Sequence, residues 1–245
     1  MSSIFQLFQR FAGILVPKSG ILTELPNCEL LCNMEVLSIK LESDKQRVAA
    51  IMRNAMTKEV VSINFLIRDE KSEKRTVMRA ELTSNQGICI KQQDSGQDVM
   101  KVTLPNHSPN LIGEFVHPSG ATIYKVHSDG AQSYRVQRAA SAVGGALPPY
   151  ILRIEKEFGW IYSPVKMMSV IGSSCVYRFK DCDGRVLGYV RPKLVMRKNT
   201  LILKFMPDRG SAQVRGAMLG AALLFVLHEA YPEVGNLLQE GMQSS

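Results

Sequence analysis

The apolar run Gly216–Leu227 (GAMLGAALLFVL) is the strongest indication of the fold of this 245-residue chain. A helix rises about 1.5 Å per residue, so the run spans roughly 18 Å and falls short of the ~30 Å hydrocarbon core of a bilayer. Because the run is apolar on every side rather than along one stripe, a helix formed here must be surrounded by protein. The sequence therefore predicts a buried helix over residues 214–229.

Short extended runs separated by turn signals fill most of the chain before this helix. Ile112–His117, Ala121–His127 and Ala131–Gln137 are separated by glycine-containing turns and predict a meander. Cys175–Lys180 and Arg185–Val190 flank an Asp-Gly turn and predict a hairpin. Seven more strand candidates are Val36–Leu41, Val48–Met52, Val60–Arg68, Thr76–Leu82, Ile88–Lys91, Ile151–Glu155 and Thr200–Phe205.

So many antiparallel strands must close or stack to protect their edges, and an apolar helix fills a barrel that is too wide for side chains alone. The predicted fold class is mainly β: a closed antiparallel barrel of about twelve strands around a buried hydrophobic C-terminal helix. One domain is expected over residues 26–235, with a polar tail over 236–245. Gly216 and Gly220, one helical turn apart, should let the helix backbone approach its neighbours closely.

The N-terminal segment 1–25 carries apolar residues at helical spacing from Ile4 to Leu15, which predicts an amphipathic helix. Three interpretations stay open: an interfacial membrane anchor, a weak organelle presequence, or a helix packed on the domain. The candidate anchor residues are Phe5, Phe8, Phe11 and Leu15.

The net charge of +8 is concentrated in one part of the chain. Residues 147–205 contain eleven basic and four acidic side chains. Such a field attracts anionic lipid headgroups or nucleic acid, although a basic surface can also serve solubility alone.

The cysteines and histidines give no sign of a metal site or a catalytic site. Five cysteines, with no secretory signal before them, favour a reduced intracellular compartment, and the Cys28 and Cys32 pair lacks the further ligands that zinc needs. His107, His117 and His127 recur every ten residues because strands and turns alternate at that spacing, so turn or surface positions are expected. No nucleophile elbow, metalloprotease motif or phosphate-binding loop occurs. We expect neither an enzyme nor a metal or other cofactor, although scattered catalytic groups escape motif analysis.

The C-terminal third resembles a known family. The segments VLGYVRPK, TLILKF and RGAMLGAALLFVLHEAYPE resemble the tail of the tubby C-terminal-like superfamily, over about Val176 to Glu233. The superfamily groups tubby-like proteins, phospholipid scramblases and LURP-one-related proteins. The resemblance implies a twelve-stranded barrel that encloses a hydrophobic C-terminal helix.

The resemblance implies two different activities, and this sequence supports one of them better than the other. Scramblases carry an acidic calcium-binding loop before the last strand, where this chain has Arg197 and Lys198, so calcium binding there is not expected. Tubby-like domains hold phosphoinositide headgroups on a basic patch, which suits the cationic segment. The predicted lipid-binding residues, chosen because they cluster and not by a motif match, are Arg191, Lys193, Arg197 and Lys198.

The leading hypothesis is a non-catalytic, membrane-associated adaptor that binds anionic phospholipid, a phosphoinositide, through a basic barrel face. We expect it in the cytoplasm as a peripheral membrane protein, with the nucleus and the mitochondrion as alternatives and protein partners as further candidates. A scramblase-like lipid translocator is the second hypothesis, because the helix carries GxxxG spacing. A nucleic-acid-binding or transcription-associated protein is the third, although Tyr177 and Phe179 share one strand face and should point into the core.

Overall fold

The computed structural model describes residues 24–42, 62–83, 87–104, 110–139, 150–158, 175–192 and 200–225. These residues form a short 3-10 helix (Glu29–Asn33), twelve strands and one α-helix, α1 (Ala212–Phe225). The strands are β1 (Val36–Leu41), β2 (Ser62–Asp69), β3 (Thr76–Thr83), β4 (Gly87–Gln92), β5 (Asp98–Thr103), β6 (Leu111–Val116), β7 (Thr122–Ser128), β8 (Ser133–Arg138), β9 (Leu152–Phe158), β10 (Cys175–Lys180), β11 (Val186–Pro192) and β12 (Thr200–Phe205).

The twelve strands close into a single antiparallel barrel. Each strand pairs with its neighbours in sequence, and β1 pairs with β12 to complete the ring. In that closing pair Val36 lies opposite Lys204 and Lys40 lies opposite Thr200. Closure gives every strand two hydrogen-bonded neighbours and removes the exposed edges that an open sheet would have. The predicted fold class is confirmed.

Helix α1 fills the lumen of the barrel. Every residue from Arg215 to Phe225 is buried, which is the environment that an all-apolar helix requires. A Cβ atom added at Gly216 would lie 2.7 Å from Cys28 Sγ, and one at Gly220 would lie 3.0 Å from the Phe115 ring. The prediction that both glycines allow close approach is confirmed, and both are used in contacts within the molecule.

Most predicted strands agree with the structure within two residues at each end, and three have the predicted bounds: β1, β10 and β12. Strand β5, at Asp98–Thr103, was not predicted from the sequence. The strand predicted at Val48–Met52 lies outside the described residues. Helix α1 begins at Ala212, two residues earlier than predicted, while the predicted helical residues 226–229 lie outside the described range.

The N-terminal end of α1 is held by a buried arginine. Arg215 is 4% exposed and sits among backbone carbonyls. Its guanidinium donates hydrogen bonds to the carbonyl oxygens of Leu31, Cys32, Met34, Met206 and Arg209 at 2.8–3.4 Å. A buried charge is tolerated only when its donors are satisfied, and five carbonyls supply that here. Arg215 thereby links the 3-10 helix to the barrel end.

Leu25 belongs to the barrel core. Its side chain is 1% exposed, its backbone N–H donates to Gln213 Oε1 at 2.7 Å, and its carbonyl accepts from Gln213 Nε2 at 2.8 Å. Leu25, the last residue of the expected N-terminal segment 1–25, therefore packs with the barrel. Residues 1–23, including the candidate anchors Phe5, Phe8, Phe11 and Leu15, lie outside the described residues.

An aromatic cluster packs around the last described residue of α1. The Phe225 ring stacks on the Tyr177 ring with centroids 4.0 Å apart and planes inclined by 4°. Tyr134 approaches Phe225 at 5.1 Å in a tilted arrangement. Apolar and aromatic contacts thus hold this end of the helix, whereas hydrogen bonds hold the other. Within the described residues, no helix has the length and apolar character needed to cross a membrane.

Candidate functional site

Because α1 fills the lumen, polar side chains available to a ligand lie on the outer wall of the barrel. Strand β10 shows the alternation that separates the two surfaces. Its Cys175, Tyr177 and Phe179 are buried inside, while Arg178 and Lys180 are partly exposed outside. The prediction that Tyr177 and Phe179 point into the core is confirmed.

On the wall formed by β9 and β10, the basic side chains are paired with carboxylates. Lys180 Nζ lies 2.5 Å from Glu155 Oε2, and Arg178 Nη2 lies 2.9 Å from Glu157 Oε2. Arg153 Nε lies 3.6 Å from the other oxygen of Glu155. The hydrogen bond from Lys180 and the nearby positive charges hold the pKa of Glu155 below its usual range. Much of the positive charge counted on this wall is therefore compensated.

The wall formed by β11 and β12 differs because its part of the chain contains no carboxylates. Residues 184–206 include six basic side chains and no Asp or Glu. Lys204 Nζ lies 6.0 Å from the ring centroid of Tyr189, its direct neighbour across the two strands. Arg191 lies two residues further along β11, opposite Ile202 of β12, and is half-buried. Arg191 and Lys204 are therefore diagonal neighbours on one surface, a separation that long side chains can reach across.

The structure describes one of the four predicted lipid-binding residues. Arg191 is on the outer wall of β11, whereas Lys193, Arg197 and Lys198 lie outside the described residues, in the connection between β11 and β12. Sequence reasoning passed over Lys204, whose side chain shares the wall with Arg191. The absence of acidic residues over 184–206 was the signal that could have selected it.

The described cysteines and histidines lie in different environments. Cys28 is buried, and burial raises the pKa of its thiol to about 12, whereas Cys32 is exposed. His117 Nδ1 lies 2.7 Å from Ser119 Oγ in the turn after β6, while His107 lies outside the described residues. Among the described residues, no group of three or more His, Cys, Asp or Glu side chains is placed to hold a metal ion.

Comparison with known proteins does not identify a family for this chain. No family model matches the chain, and no curated protein matches it. Among solved structures, an X-ray structure of a protein from Arabidopsis thaliana is similar, with 12% sequence identity over 88% of this chain and 99% of the other. Its TM-score is 0.32, so no argument about fold or function rests on it. The molecule is described by its architecture: a closed twelve-stranded antiparallel barrel with a helix in its lumen.

Proposed function

We propose that this protein is a non-catalytic member of the tubby C-terminal-like superfamily that binds anionic phospholipid, a phosphoinositide, through the outer wall at β11 and β12. One observation carries the proposal. The wall at β9 and β10 pairs its cations with Glu155 and Glu157, whereas the adjoining stretch 184–206 has six basic residues and no acidic one. A stretch of six basic residues that contains no carboxylate, beside a wall whose cations form ion pairs, favours the binding of anions.

The energetics suit a membrane surface. Each Lys or Arg near an anionic leaflet contributes about 1 kcal/mol, so several clustered cations give measurable, salt-sensitive binding without an enclosed pocket. The filled lumen supports the same proposal, because Ala217, Leu219, Ala221 and Leu223 are at most 1% exposed and occupy the place where a barrel could hold a small ligand. The protein acts in the cytoplasm as a peripheral membrane adaptor.

The other two hypotheses have weaker support. Tyr177 and Phe179, two of the three aromatic residues interleaved with basic ones, are buried in the core and unable to stack on bases. Gly216 and Gly220, whose spacing suggested helix pairing in lipid, instead contact Cys28 and Phe115. Both features are explained by the barrel without nucleic acid or lipid translocation.

The test is flotation of the purified full-length chain with liposomes, with and without phosphoinositide, at low and high salt. Arg197→Glu with Lys198→Glu, and separately Arg191→Glu with Lys193→Glu, should reduce salt-sensitive flotation severalfold. The matched control is Lys91→Glu with Lys101→Glu, which makes the same charge change on β4 and β5, far from β11 and β12 in the ring of strands. Equal flotation of all three variants and the wild type would overturn the assignment of the site.

A further inference from the structure

Helix α1 leads the chain out of the lumen at the end of the barrel where β11 ends and β12 begins. Phe225, its last described residue, stacks on Tyr177 with ring centroids 4.0 Å apart, and Tyr177 lies opposite Val190 of β11. Arg191 follows Val190 in the sequence and lies about 3.3 Å further along the strand. The residues after Phe225 therefore start close to the outer wall at β11 and β12.

The part of the chain that follows α1 has a charge opposite to that of the adjoining wall. Residues 226–245 contain no Lys, Arg or Asp and three glutamates: Glu229, Glu233 and Glu240. Residues 184–206 contain six basic side chains and no Asp or Glu. We call residues 226–245 the acidic segment. Because both stretches meet at one end of the barrel, their opposite charges attract each other, most strongly at low salt.

The outer face of β12 is shielded from solvent near this end. Ile202 points away from the lumen, because its neighbours Leu201 and Leu203 belong to the core cluster and Ile202 does not. Ile202 is nevertheless only 6% exposed, and Ser38, which lies opposite it on β1, is 2% exposed. The outer face of an antiparallel sheet is usually solvated, so other parts of the molecule cover these two residues. We call Ser38 and Ile202 the shielded pair.

An arginine lies on each side of the shielded pair. The register places Arg68 of β2 opposite Ser38, and Arg191 of β11 opposite Ile202. Neighbouring strands are about 4.8 Å apart, so the backbones of the two arginines are about 14 Å apart across three strand spacings. A ligand that matches this surface carries two anionic groups at about that separation, with a less polar group between them.

The first residues of the acidic segment have this pattern. Glu229 and Glu233 are four residues apart, a distance of about 13 Å in an extended chain. In such a chain Glu229, Tyr231 and Glu233 project from the same side, because side chains alternate with a period of two. Pro232 favours an extended conformation for Tyr231. The two carboxylates can therefore reach the two arginines while the tyrosine ring lies over the shielded pair.

We infer that the acidic segment folds back over the outer wall at β11, β12, β1 and β2 and inhibits the binding of anionic membranes there. Glu229 pairs with Arg191, Glu233 pairs with Arg68, and Tyr231 packs on the shielded pair. A membrane must displace the segment before it can use this surface. The inhibitory role rests on the function proposed above, whereas the contact between segment and wall needs no lipid.

Photo-crosslinking of the full-length chain tests the contact without lipid. With p-benzoylphenylalanine in place of Tyr231, ultraviolet light should attach the segment to peptides that contain Ser38 or Ile202, as identified by mass spectrometry. Adding Glu229→Gln with Glu233→Gln, or high salt, should lower the yield of these cross-links, because both weaken the ion pairs. Cross-links that fall only on other strands, or a yield that neither change lowers, would overturn the contact.

Vesicle flotation tests the inhibition. At low salt Glu229→Gln with Glu233→Gln should bind phosphoinositide vesicles about threefold or more tightly than the wild type, because the free surface is no longer only a fraction of the population. The matched control is Asp94→Asn with Glu114→Gln, which removes the same charge at β4 and β6, across the ring of strands from β11 and β12. Thermal unfolding checks that each variant is folded. An equal gain for both variants would show a net-charge effect and overturn the inhibition.

The two experiments separate this inference from the function proposed for the wall. Wild-type flotation together with cross-links that miss β1 and β12 overturns the contact and leaves the proposed function intact. Cross-links to β1 or β12 without flotation of any variant support the contact and overturn both the lipid function and the inhibition.

Discussion

The inner and outer surfaces of this barrel are built on different principles. On the inside, packing limits the size of side chains. A Cβ atom at Gly216 would press on Cys28, and one at Gly220 would press on the Phe115 ring. On the outside, charge distinguishes one part of the surface from another. Lys180 and Arg178 form ion pairs with carboxylates of the next strand, whereas residues 184–206, which include β11 and β12, contain no carboxylate. The same alternation of side chains produces both surfaces, since neighbouring residues of a strand belong to opposite faces. Substitutions inside should therefore cost stability, and substitutions outside should change binding.

The largest expected effect comes from Arg215→Met, which tests whether the buried guanidinium is essential for the stability of the barrel. It leaves five backbone carbonyls without their donor, so the free energy of unfolding should fall by about 4 kcal/mol. Urea denaturation measures the loss. Arg209→Met is the control, because Arg209 is exposed and its side chain donates to a single carbonyl, that of Val186. A loss below about 1 kcal/mol for Arg215→Met would show that water satisfies these carbonyls.

The next effect in size is that of Gly188→Ala, at a point where the barrel wall meets α1. The added Cβ would lie 2.2 Å from the Lys204 carbonyl oxygen and 2.6 Å from Met218 Cε. A flexible methionine tip can move, but the backbone carbonyl of β12 cannot, so we expect a loss of about 3 kcal/mol. Shortening the tip with Met218→Ala should not rescue the variant in thermal unfolding. Full rescue would show that the added Cβ clashes with Met218 of α1 and not with the Lys204 carbonyl.

A smaller effect is expected for Gly220→Ala, where two contributions oppose each other. Alanine is the better helix former by about 1 kcal/mol, but its Cβ would lie 3.0–3.1 Å from three atoms of the Phe115 ring. We expect a net loss of about 1 kcal/mol in urea denaturation, because the ring is enclosed by the core. In a Phe115→Leu background the same substitution should become neutral or stabilising. A stabilised Gly220→Ala variant of the wild type would show that helix propensity outweighs packing here.

The smallest effect on stability is expected outside, for Glu155→Gln. The pair with Lys180 is partly exposed, so its loss should cost no more than about 1 kcal/mol. The pKa of Glu155 is held below its ordinary value of 4.5, so the pair stabilises the wild type at neutral pH, and this contribution disappears as the pH falls through and below that value. The stability curves of the two proteins should thus converge as the pH falls below 4.5. A constant difference across the pH range would show that the carboxylate acts through packing and not through charge.

The sequence predicted the architecture well because local chemistry and global pattern agree along much of the chain. In the hairpin of β10 and β11, Asp181 Oδ1 accepts from the backbone N–H groups of Asp183 and Arg185, and Gly184 has a φ of +79°. That is the chemistry from which the turn was predicted. The unbroken apolar surface of α1 likewise required a protein-lined interior.

Strand β5 was missed because its pattern departs from simple alternation. Val99 and Met100 are both buried although they are adjacent in sequence. The register between β4 and β5 shifts at Ile90 and Lys91, so two residues in succession can avoid solvent there. The residues Asp98–Thr103 therefore do not alternate between apolar and polar as a predicted strand should. The cause of the irregularity is seen only in the register between β4 and β5.

The site was predicted less well because charge compensation is a property of the register. Glu155 and Lys180 are 25 residues apart, and Glu157 and Arg178 are 21 apart, so counting charges over 147–205 could not show which cations meet a carboxylate. The role of Arg215 was not predicted, because backbone carbonyl partners leave no signal in the sequence.

The closure of the barrel also sets the order in which the molecule can be made. Strand β1 has no partner on one side until β12 has been synthesised, and Arg215 reaches back to the carbonyl of Leu31, 184 residues earlier. Contacts between such distant positions slow folding, and an unpaired strand edge is prone to aggregate in the meantime. The helix that occupies the lumen comes after every strand, so it must be present as the ring closes around it. A nascent chain emerging from the ribosome therefore holds most of its wall but no completed interior until β12 and α1 have been translated.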